Sequence, residues 1–569
     1  MTGRAATPAS DAVRAARDFL LAHAHDYDTV VRDFRWPELA EFNFALEWFD
    51  VVAAEHPERP AVKIVDANLN ARQWTYGELA RRSDQVANWF TELGMKRGDH
   101  MIVMLNNTIE IWEILLGLLK VGGVAIPTST LLTDVDLEAR IVRGEATFTI
   151  APAALEAKFD RVPADVVKIS VGDTAPDGWV DFADSHEAPL EFTPDGPTPA
   201  DDTCLLYFTS GTTAQPKLVR HTQVSYPVGH LSTMWWLGVR PGDVHLNISS
   251  PGWGKHAWSN FFSPFLAQAT VFIFNYARFD AHTLMEIMDT HEVTTFCAPP
   301  TVWRMLIQAD LTRLHHPPRE LVGAGEPLNP EVIAQVRQAW GNTIRDGYGQ
   351  TEMTCSIGNS PGQKVKDGSM GRPMPGYAVV LLDPVTGEPA PNEGEICLDL
   401  SVPNIALMGG YYRDPEFTAE TCRRGHYHTG DIASRDADGY LTYVGRADDV
   451  FKASDYKISP FELESVLLEH PLIAEAAIVP SPDPLRMAVP KAYVTLAAGA
   501  TADGVTAKAV FDYCVANLAG YQRIRLLEFV EELPKTISGK IRRVDLRDRE
   551  AARASSGDLT GQFRYADYR

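Results

Sequence analysis

The chain repeatedly breaks an apolar run of strand length at a loop rich in glycine and hydrogen-bonding side chains. Cys204 to Phe208 reads as a buried strand and opens into Thr209-Ser210-Gly211-Thr212-Thr213-Ala214-Gln215-Pro216-Lys217. Val293 to Cys297 runs into Ala298-Pro299-Pro300-Thr301, and Leu321-Val322 into Gly323-Ala324-Gly325-Glu326-Pro327. Thr343-Ile344 runs into Asp346-Gly347-Tyr348-Gly349-Gln350-Thr351-Glu352. Helical patterns separate these runs. That alternation predicts an α/β fold with parallel strands, and ligands of such sheets bind beyond the carboxyl ends of the strands.

The first of these loops suits phosphate. Backbone N–H groups, the hydroxyls of Thr209, Ser210, Thr212 and Thr213, and the ammonium of Lys217 can turn toward one anion. The spacing is not that of a P-loop, so that mechanism is not implied. A polar surface turn is the plain alternative for this stretch taken alone.

Earlier in the chain, Phe42 to Ala53 has helical spacing, Ala61 to Ile64 reads as a strand, and a helix opens at Trp74 to Leu79 and ends at Gly94. Met101 to Leu105 is a strand followed by a helix from Ile109 to Lys120. The region Ile111 to Leu132 is the most apolar, but Glu113, Lys120, Gly122, Gly123 and Pro127 interrupt it. A membrane span needs about 20 apolar residues with few charges, so the region reads as a buried helix and a strand. The first forty residues are expected to wrap the surface and the last fifteen to be loose.

At 569 residues the chain should form more than one domain. Composition changes near residue 445, where glycine-rich stretches give way to a short α+β unit. Its first helix opens at Ser459-Pro460-Phe461-Glu462, a capping box with proline at the first helical position. The expected organisation is a large N-terminal multi-layer α/β domain, residues 1–445, a hinge at 446–448, and a small mobile C-terminal α+β domain, residues 449–569. A net charge of -23 leaves no excess of Lys and Arg to neutralise nucleic-acid phosphates. Six cysteines without ligand or disulfide spacing, and an N-terminus lacking the apolar core of a signal peptide, fit a reducing cytoplasm.

Taken with four further blocks, the loop from Tyr207 to His221 resembles the phosphate loop of the adenylate-forming superfamily, which includes acyl-CoA synthetases, aryl-CoA ligases and adenylation domains. Ala214 stands where the family usually has glycine. By that resemblance, Asp346 to Glu352 (DGYGQTE) holds adenine and magnesium: Tyr348 stacks on the purine, Thr351 meets the α-phosphate or the substrate carboxylate, and Glu352 with Thr213 ligates Mg²⁺. Gly325, Glu326, Pro327, Asp346, Gly347, Gly349 and Gln350 complete the ATP side. Asp431, in Tyr427 to Asp431, takes the ribose hydroxyls, and Arg446 is the second ribose contact. Asp448 is the hinge, and Lys540, in Pro534 to Ile541, is the catalytic lysine. Ser454, Asp455, Tyr456 and Lys457 line the tunnel for coenzyme A, with Asp455 and Lys457 departing from the usual glycine and arginine.

The nearest group by resemblance is the medium-chain and branched-chain acyl-CoA synthetases, on the stretches Gly252 to Lys255 with Trp258, CAPPTV, GAGEPLNP and DGYGQTE. It implies an acyl pocket of Trp253, Lys255, Trp258, Cys297 and Gly349. Gly349 stands where acetate enzymes carry tryptophan, so an acid larger than acetate is expected. The implied reaction joins ATP and a carboxylic acid into an acyl adenylate with release of pyrophosphate, then passes the acyl group to coenzyme A. Alternatives are an aryl acid such as a benzoate, or loading of a separate carrier protein. No carrier-type site or condensation module follows the small domain, which favours coenzyme A. Oligomeric state stays open, a homodimer included.

Overall fold

The computed structural model describes residues 4–172, 174–209, 216–326, 328–453, 456–483, 486–535, 540–558 and 560–568. Their backbone falls into two compact units. The first comprises Met1–Val379, Leu398–Tyr427 and Gly439–Leu441; the second comprises Val380–Cys397, His428–Asp438 and Thr442–Arg569.

Two sheets organise the first unit. One has seven strands in the order Val180–Asp181, Val167–Val171, Ala146–Pro152, His100–Val103, Val124–Pro127, Thr203–Thr209, Lys217–Thr222. All neighbours are parallel except the last pair, an antiparallel hairpin with Thr209 opposite Lys217. The other has nine strands: Arg372–Pro373, Ile357–Gly358, Ile344–Tyr348, Glu320–Ala324, Thr295–Ala298, Val244–Asn247, Thr270–Phe274, Pro60–Val65, Ala71–Thr75. Its centre is parallel and its margins antiparallel. Parallel strands need crossover helices and both faces covered. Accordingly Phe272, Phe296, Leu321 and Ile344 are buried with Trp303 and Leu284 in one core cluster.

The apolar helix Glu110–Val121 is buried from Ile111 to Val121 and is followed by the strand Val124–Pro127. Its two buried charges, Glu113 and Lys120, survive burial because each has a partner. Arg82 Nε lies 3.1 Å from Glu113, and Lys120 Nζ lies 2.8 Å from Asp50 and 2.7 Å from Asp84. Burial outweighs the pull of Arg82 and pushes the Glu113 carboxyl up to about 7.

The structure gives the N-terminal wrap its form and corrects the reading of the C-terminus. Pro8–Ala22 is an amphipathic helix with a complete capping box at Thr7 and Ser10, and Val13 and Leu20 are fully buried. At the other end, Gln562–Arg564 adds a strand to the small sheet, and Phe563, Tyr565 and Tyr568 pack against the core. Polar composition hid these few aromatic anchors. The N-terminal half of the chain also holds a π-helical turn, Phe44–Phe49, ahead of the helix Asp50–Glu55.

In the second unit, the sheet orders Ile473–Asp483, Met487–Leu496, Leu526–Phe529 and Gln562–Arg564, with the helices Pro460–Leu468, Gly504–Asn517 and Arg543–Ser556. Ser459 caps the first helix by accepting from the Glu462 N–H, the forward half of the expected box. Lys491 is completely buried. It reaches Glu550 at 2.5 Å, Gln562 at 2.9 Å and Glu528 at 3.0 Å, while Tyr493 and Ser481 also donate to Glu550. This network ties the last helix and last strand to the sheet.

Removing one partner from such a network strands a buried charge. Glu550→Ala should destabilise the second unit by about 3–5 kcal/mol, read as a lowered urea midpoint of the full chain; an unchanged midpoint would contradict the role. Glu113 gives a pH prediction. Its ordinary value is 4.5 and its folded value about 7, so between them the native state holds a proton that the unfolded state lacks. Stability from this group therefore falls as pH rises through that window, by roughly 1.4 kcal/mol per pH unit at most. Glu113→Gln should flatten that slope in urea unfolding series from pH 4.5 to 8; an identical slope would refute it.

Candidate functional site

The strand Ile344–Tyr348 carries Asp346, Gly347 and Tyr348 as its last residues, so these expected loop residues are strand residues. Parallel pairing with Glu320–Ala324 sets Gly323 beside Asp346 and Ala324 beside Gly347. Asp346 is buried. Its carboxylate accepts from the Gly347 N–H at 2.9 Å, and burial pushes it up to about 7. Tyr348, Gly349, Gln350, Thr351 and Glu352 follow, all partly exposed.

This segment is held from several sides. His221, on the hairpin strand Lys217–Thr222, contacts the Thr351 carbonyl through Nε2 at 2.7 Å, and Tyr226 Oη donates to the same oxygen at 3.2 Å. Trp258 Nε1 donates to Tyr226 Oη at 2.9 Å. Tyr411 Oη donates to Glu352 Oε1 at 2.8 Å, the Met408 N–H donates to the Glu352 carbonyl at 2.8 Å, and Tyr427 Oη donates to Gln350 Oε1 at 2.9 Å. His221 is fully buried, and burial pushes it down to about 3, so the ring is neutral at neutral pH. None of His221, Tyr226 or Tyr411 was singled out by sequence reasoning. Their one signal is position, since His221 ends the phosphate-loop stretch and Tyr411 lies in the glycine-rich stretch after Met408.

Lys217 opens the return strand. Its ammonium lies 3.6 Å from the centroid of Phe417 and 5.9 Å from that of Tyr411, a cation–π placement. Thr209 ends the preceding strand; Ser210, Gly211, Thr212, Thr213 and Ala214 lie outside the described residues, as does Pro327. Gly325 has φ +111°, and Glu326 pairs with Arg304 at 3.5 Å.

Of the expected acid-binding residues, Lys255 is linked to Cys297 and Trp258 to Gly349 by direct approach. Lys255 lies on the short helix Gly254–Ala257, and Trp258 begins the π-helical turn Trp258–Phe262. Lys255 Nζ donates to the Ala324 carbonyl at 3.1 Å, and Ser259 Oγ donates to Cys297 Sγ at 3.7 Å. Burial pushes the Lys255 ammonium down, against the pull of Cys297, Asp346 and Glu326. Trp253 caps the helix and is half-buried. Gly349 is required by close approach: a Cβ there would lie 2.3 Å from the Thr354 carbonyl oxygen and 2.4 Å from the Trp258 ring. The space expected to open at Gly349 is therefore bounded by the indole of Trp258.

In the second unit, Asp431, Arg446 and Asp448 form one ionic cluster. Asp431 is buried, and its Oδ1 accepts from Tyr443 at 3.2 Å and from Arg446 at 3.3 Å. Arg446 also donates to the Thr429 carbonyl at 3.1 Å and lies 3.5 Å from Asp448. Gly430 has φ +72°, and a Cβ there would meet Arg446 Nη2 at 2.8 Å. Behind this turn, Glu395 accepts from the Gly430 N–H at 2.9 Å and contacts His428 Nδ1 at 2.8 Å, with Cys397 Sγ 3.4 Å from the same nitrogen. Asp449, just beyond the expected hinge, pairs with Arg543 at 3.5 Å and with Arg547.

Tyr456 is exposed and stacks on Tyr521 with centroids 4.3 Å apart. Ser454 and Asp455 lie outside the described residues, and Lys457 follows Tyr456 on the strand Tyr456–Ile458. Lys540 is exposed. Among the described residues no helix is long and apolar enough to cross a membrane.

The family model described as AMP-binding enzyme matches residues 49–412, and that of the AMP-binding enzyme C-terminal domain matches residues 462–540. The chain is 41% identical over 539 residues to 4-hydroxybutyrate–CoA ligase 1 of Metallosphaera sedula, covering 93% of this chain and 94% of that protein. It is 36% identical over 541 residues to the mitochondrial acyl-coenzyme A synthetase ACSM3 of Mus musculus, covering 92% and 93%. Among solved structures, the anthranilate CoA ligase AuaEII in complex with anthranoyl-AMP superposes with a TM-score of 0.81 at 26% identity, over 92% of this chain and 99% of that one. A benzoate CoA ligase from Burkholderia xenovorans LB400 gives 0.76 at 26% identity, over 89% and 100%. The chain belongs to the AMP-binding enzyme family.

Proposed function

We propose that this protein is an AMP-forming acid–CoA ligase that activates a carboxylic acid larger than acetate in the cytoplasm. The observation that carries the reading is the segment Thr351-Glu352, whose first carbonyl is held by His221 and Tyr226 and whose second carbonyl and carboxylate are held by the stretch Met408 to Tyr411. An acid adenylate forms when a carboxylate oxygen attacks the α-phosphorus of ATP and pyrophosphate leaves. The protein's work is to align those groups and to offset the charge that spreads over the α-phosphate. With the Thr351 backbone so held, its hydroxyl meets the α-phosphate or the acid, and Tyr348 offers an aromatic face to adenine.

Asp431 presents a carboxylate oxygen already shared by Arg446 and Tyr443, a geometry suited to the two ribose hydroxyls. Thr209, Ser210, Gly211, Thr212, Thr213 and Lys217 would serve the polyphosphate. Glu352 fits a hard cation: its carboxylate is partly exposed and one oxygen is oriented by Tyr411. Glu352 and Thr213 would hold Mg²⁺, which supplies charge neutralisation for the phosphates when bound.

Lys540 supplies the point cation of the first half-reaction, and residues 446–448, with Asp448 as the hinge position, form the hinge through which residues 449–569 reposition for the second. Ser454, Asp455, Tyr456 and Lys457 then face the pantetheine thiol. The acid lies against Trp253, Lys255, Trp258, Cys297 and Gly349. Support for coenzyme A as acceptor comes from relatives named as CoA ligases for 4-hydroxybutyrate, anthranilate and benzoate. The six free cysteines suit a reducing compartment.

Acid-dependent ATP–pyrophosphate exchange and CoA thioester formation test the reading; silence of both with every acid offered would overturn it. Lys540→Ala should lower pyrophosphate exchange by about a hundredfold or more, yet leave thioester formation from supplied acyl adenylate within a few fold. Equal loss in both half-reactions would refute its role.

A further inference from the structure

Three neighbouring polar groups face the acid-binding side of the nine-stranded sheet, and one of them is unspent. Asn247 ends the strand Val244–Asn247 and is 3% exposed, yet neither atom of its amide has a hydrogen-bond partner among the described residues. A buried, unpaired amide is costly, and native proteins seldom keep one without a use. In the parallel ladder Asn247 lies opposite Cys297, so both side chains project from the same face of the sheet. Ser259 reaches Cys297 on that face, and Lys255 and Trp258 come from the same helical segment, Gly254 to Phe262. Lys255 donates to the Ala324 carbonyl and also bonds the Cys297 side chain, and an ammonium carries three donors, so one is left over.

We propose that Asn247 and Lys255 form the far end of the acid pocket and select a carboxylic acid bearing a distal hydroxyl group. This rests on the reading above that Lys255, Trp258 and Cys297 line that pocket. Asn247 offers both a donor and an acceptor, and Lys255 a donor. A hydroxyl both accepts and donates, so it satisfies both residues. An alkyl end would leave the amide unpaired. A distal carboxylate can only accept, would leave Asn247 Oδ1 facing an anion, and would add charge beside Asp346 and Glu326, the carboxylates that act electrostatically on Lys255. Sites built to bond a hydroxyl reject the analogue lacking it far more strongly than apolar pockets reject a missing methylene.

The experiment uses the full-length protein with butyrate and 4-hydroxybutyrate, pentanoate and 5-hydroxypentanoate, hexanoate and 6-hydroxyhexanoate, and succinate. Thioester formation gives kcat/KM for each, and pyrophosphate exchange is measured in parallel. At the best chain length the hydroxy acid should exceed its alkyl partner by about tenfold or more. Asn247→Leu and Lys255→Met should each bring that ratio to one or below, chiefly through the hydroxy acid's KM. An alkyl acid equal or superior at every length, a preference for succinate, or a ratio untouched by Lys255→Met would overturn the inference while leaving the ligase intact. Should Asn247→Leu fail to fold, the wild-type ratio and Lys255→Met decide. Absence of exchange with all seven acids would instead sink the ligase reading itself.

Discussion

The carbonyl oxygen of Thr351 is the point on which the first unit's chemistry depends. It accepts from His221 at 2.7 Å and from Tyr226 at 3.2 Å, and both donors are buried. His221 sits on the edge strand of the seven-stranded sheet, whereas Thr351 follows a strand of the nine-stranded one. One acceptor thus fixes the phosphate-loop hairpin relative to the segment that carries Glu352. The bond also sets the imidazole tautomer. A neutral ring donating through Nε2 must accept at Nδ1, where Ser225 Oγ stands at 3.0 Å, and that hydroxyl in turn accepts from the Thr222 N–H. Because burial disfavours the charged ring, His221 keeps this relay at neutral pH.

The same relay reaches the acid-binding side. Tyr226 receives the indole N–H of Trp258, and the tip of that indole closes over Gly349. Tyr226, which holds the Thr351 carbonyl, is therefore bonded to Trp258, which is proposed to bound the acid. A side chain at Gly349 would displace either Trp258 or the Thr354 backbone, and a shift of Trp258 would reach Thr351 through Tyr226. Pocket size and alignment of the reacting groups are not independent variables in this arrangement, which accords with catalysis that rests on positioning rather than on a nucleophilic side chain.

Much of this was legible in the sequence, and the limits have physical causes. Apolar runs ending at Gly, Ser and Thr gave the strands and the loops beyond them, because parallel strands buried on both faces must be apolar throughout. Asp431, Arg446 and Asp448 were singled out separately and meet in one cluster. What stayed hidden was contact made at long range. The ammonium of Lys217 lies over Phe417, two hundred positions along the chain in a helix with no buried residue, which nothing near Lys217 signals. Tyr443 bonds Asp431 without any local signature, since one tyrosine in a strand looks like another. The C-terminal residues looked loose because their composition is polar, while three aromatic side chains suffice to dock them.

Asn247 shows the same limit from the side of specificity. In sequence it is an asparagine closing an apolar strand, which elsewhere marks the start of a turn. Its meaning comes from its register opposite Cys297 and from the absence of any bonding partner among the described residues, and neither property is encoded within a few positions of it. The reacting groups are different: phosphate, ribose and magnesium are common to every adenylating reaction, so the side chains that meet them recur as compact motifs. The far end of the acid varies from one enzyme to the next and is met by single residues drawn from different strands and helices. A motif can therefore reveal that a carboxylate is activated, whereas the identity of the acid has to be sought in the unpaired polar atoms that line its path.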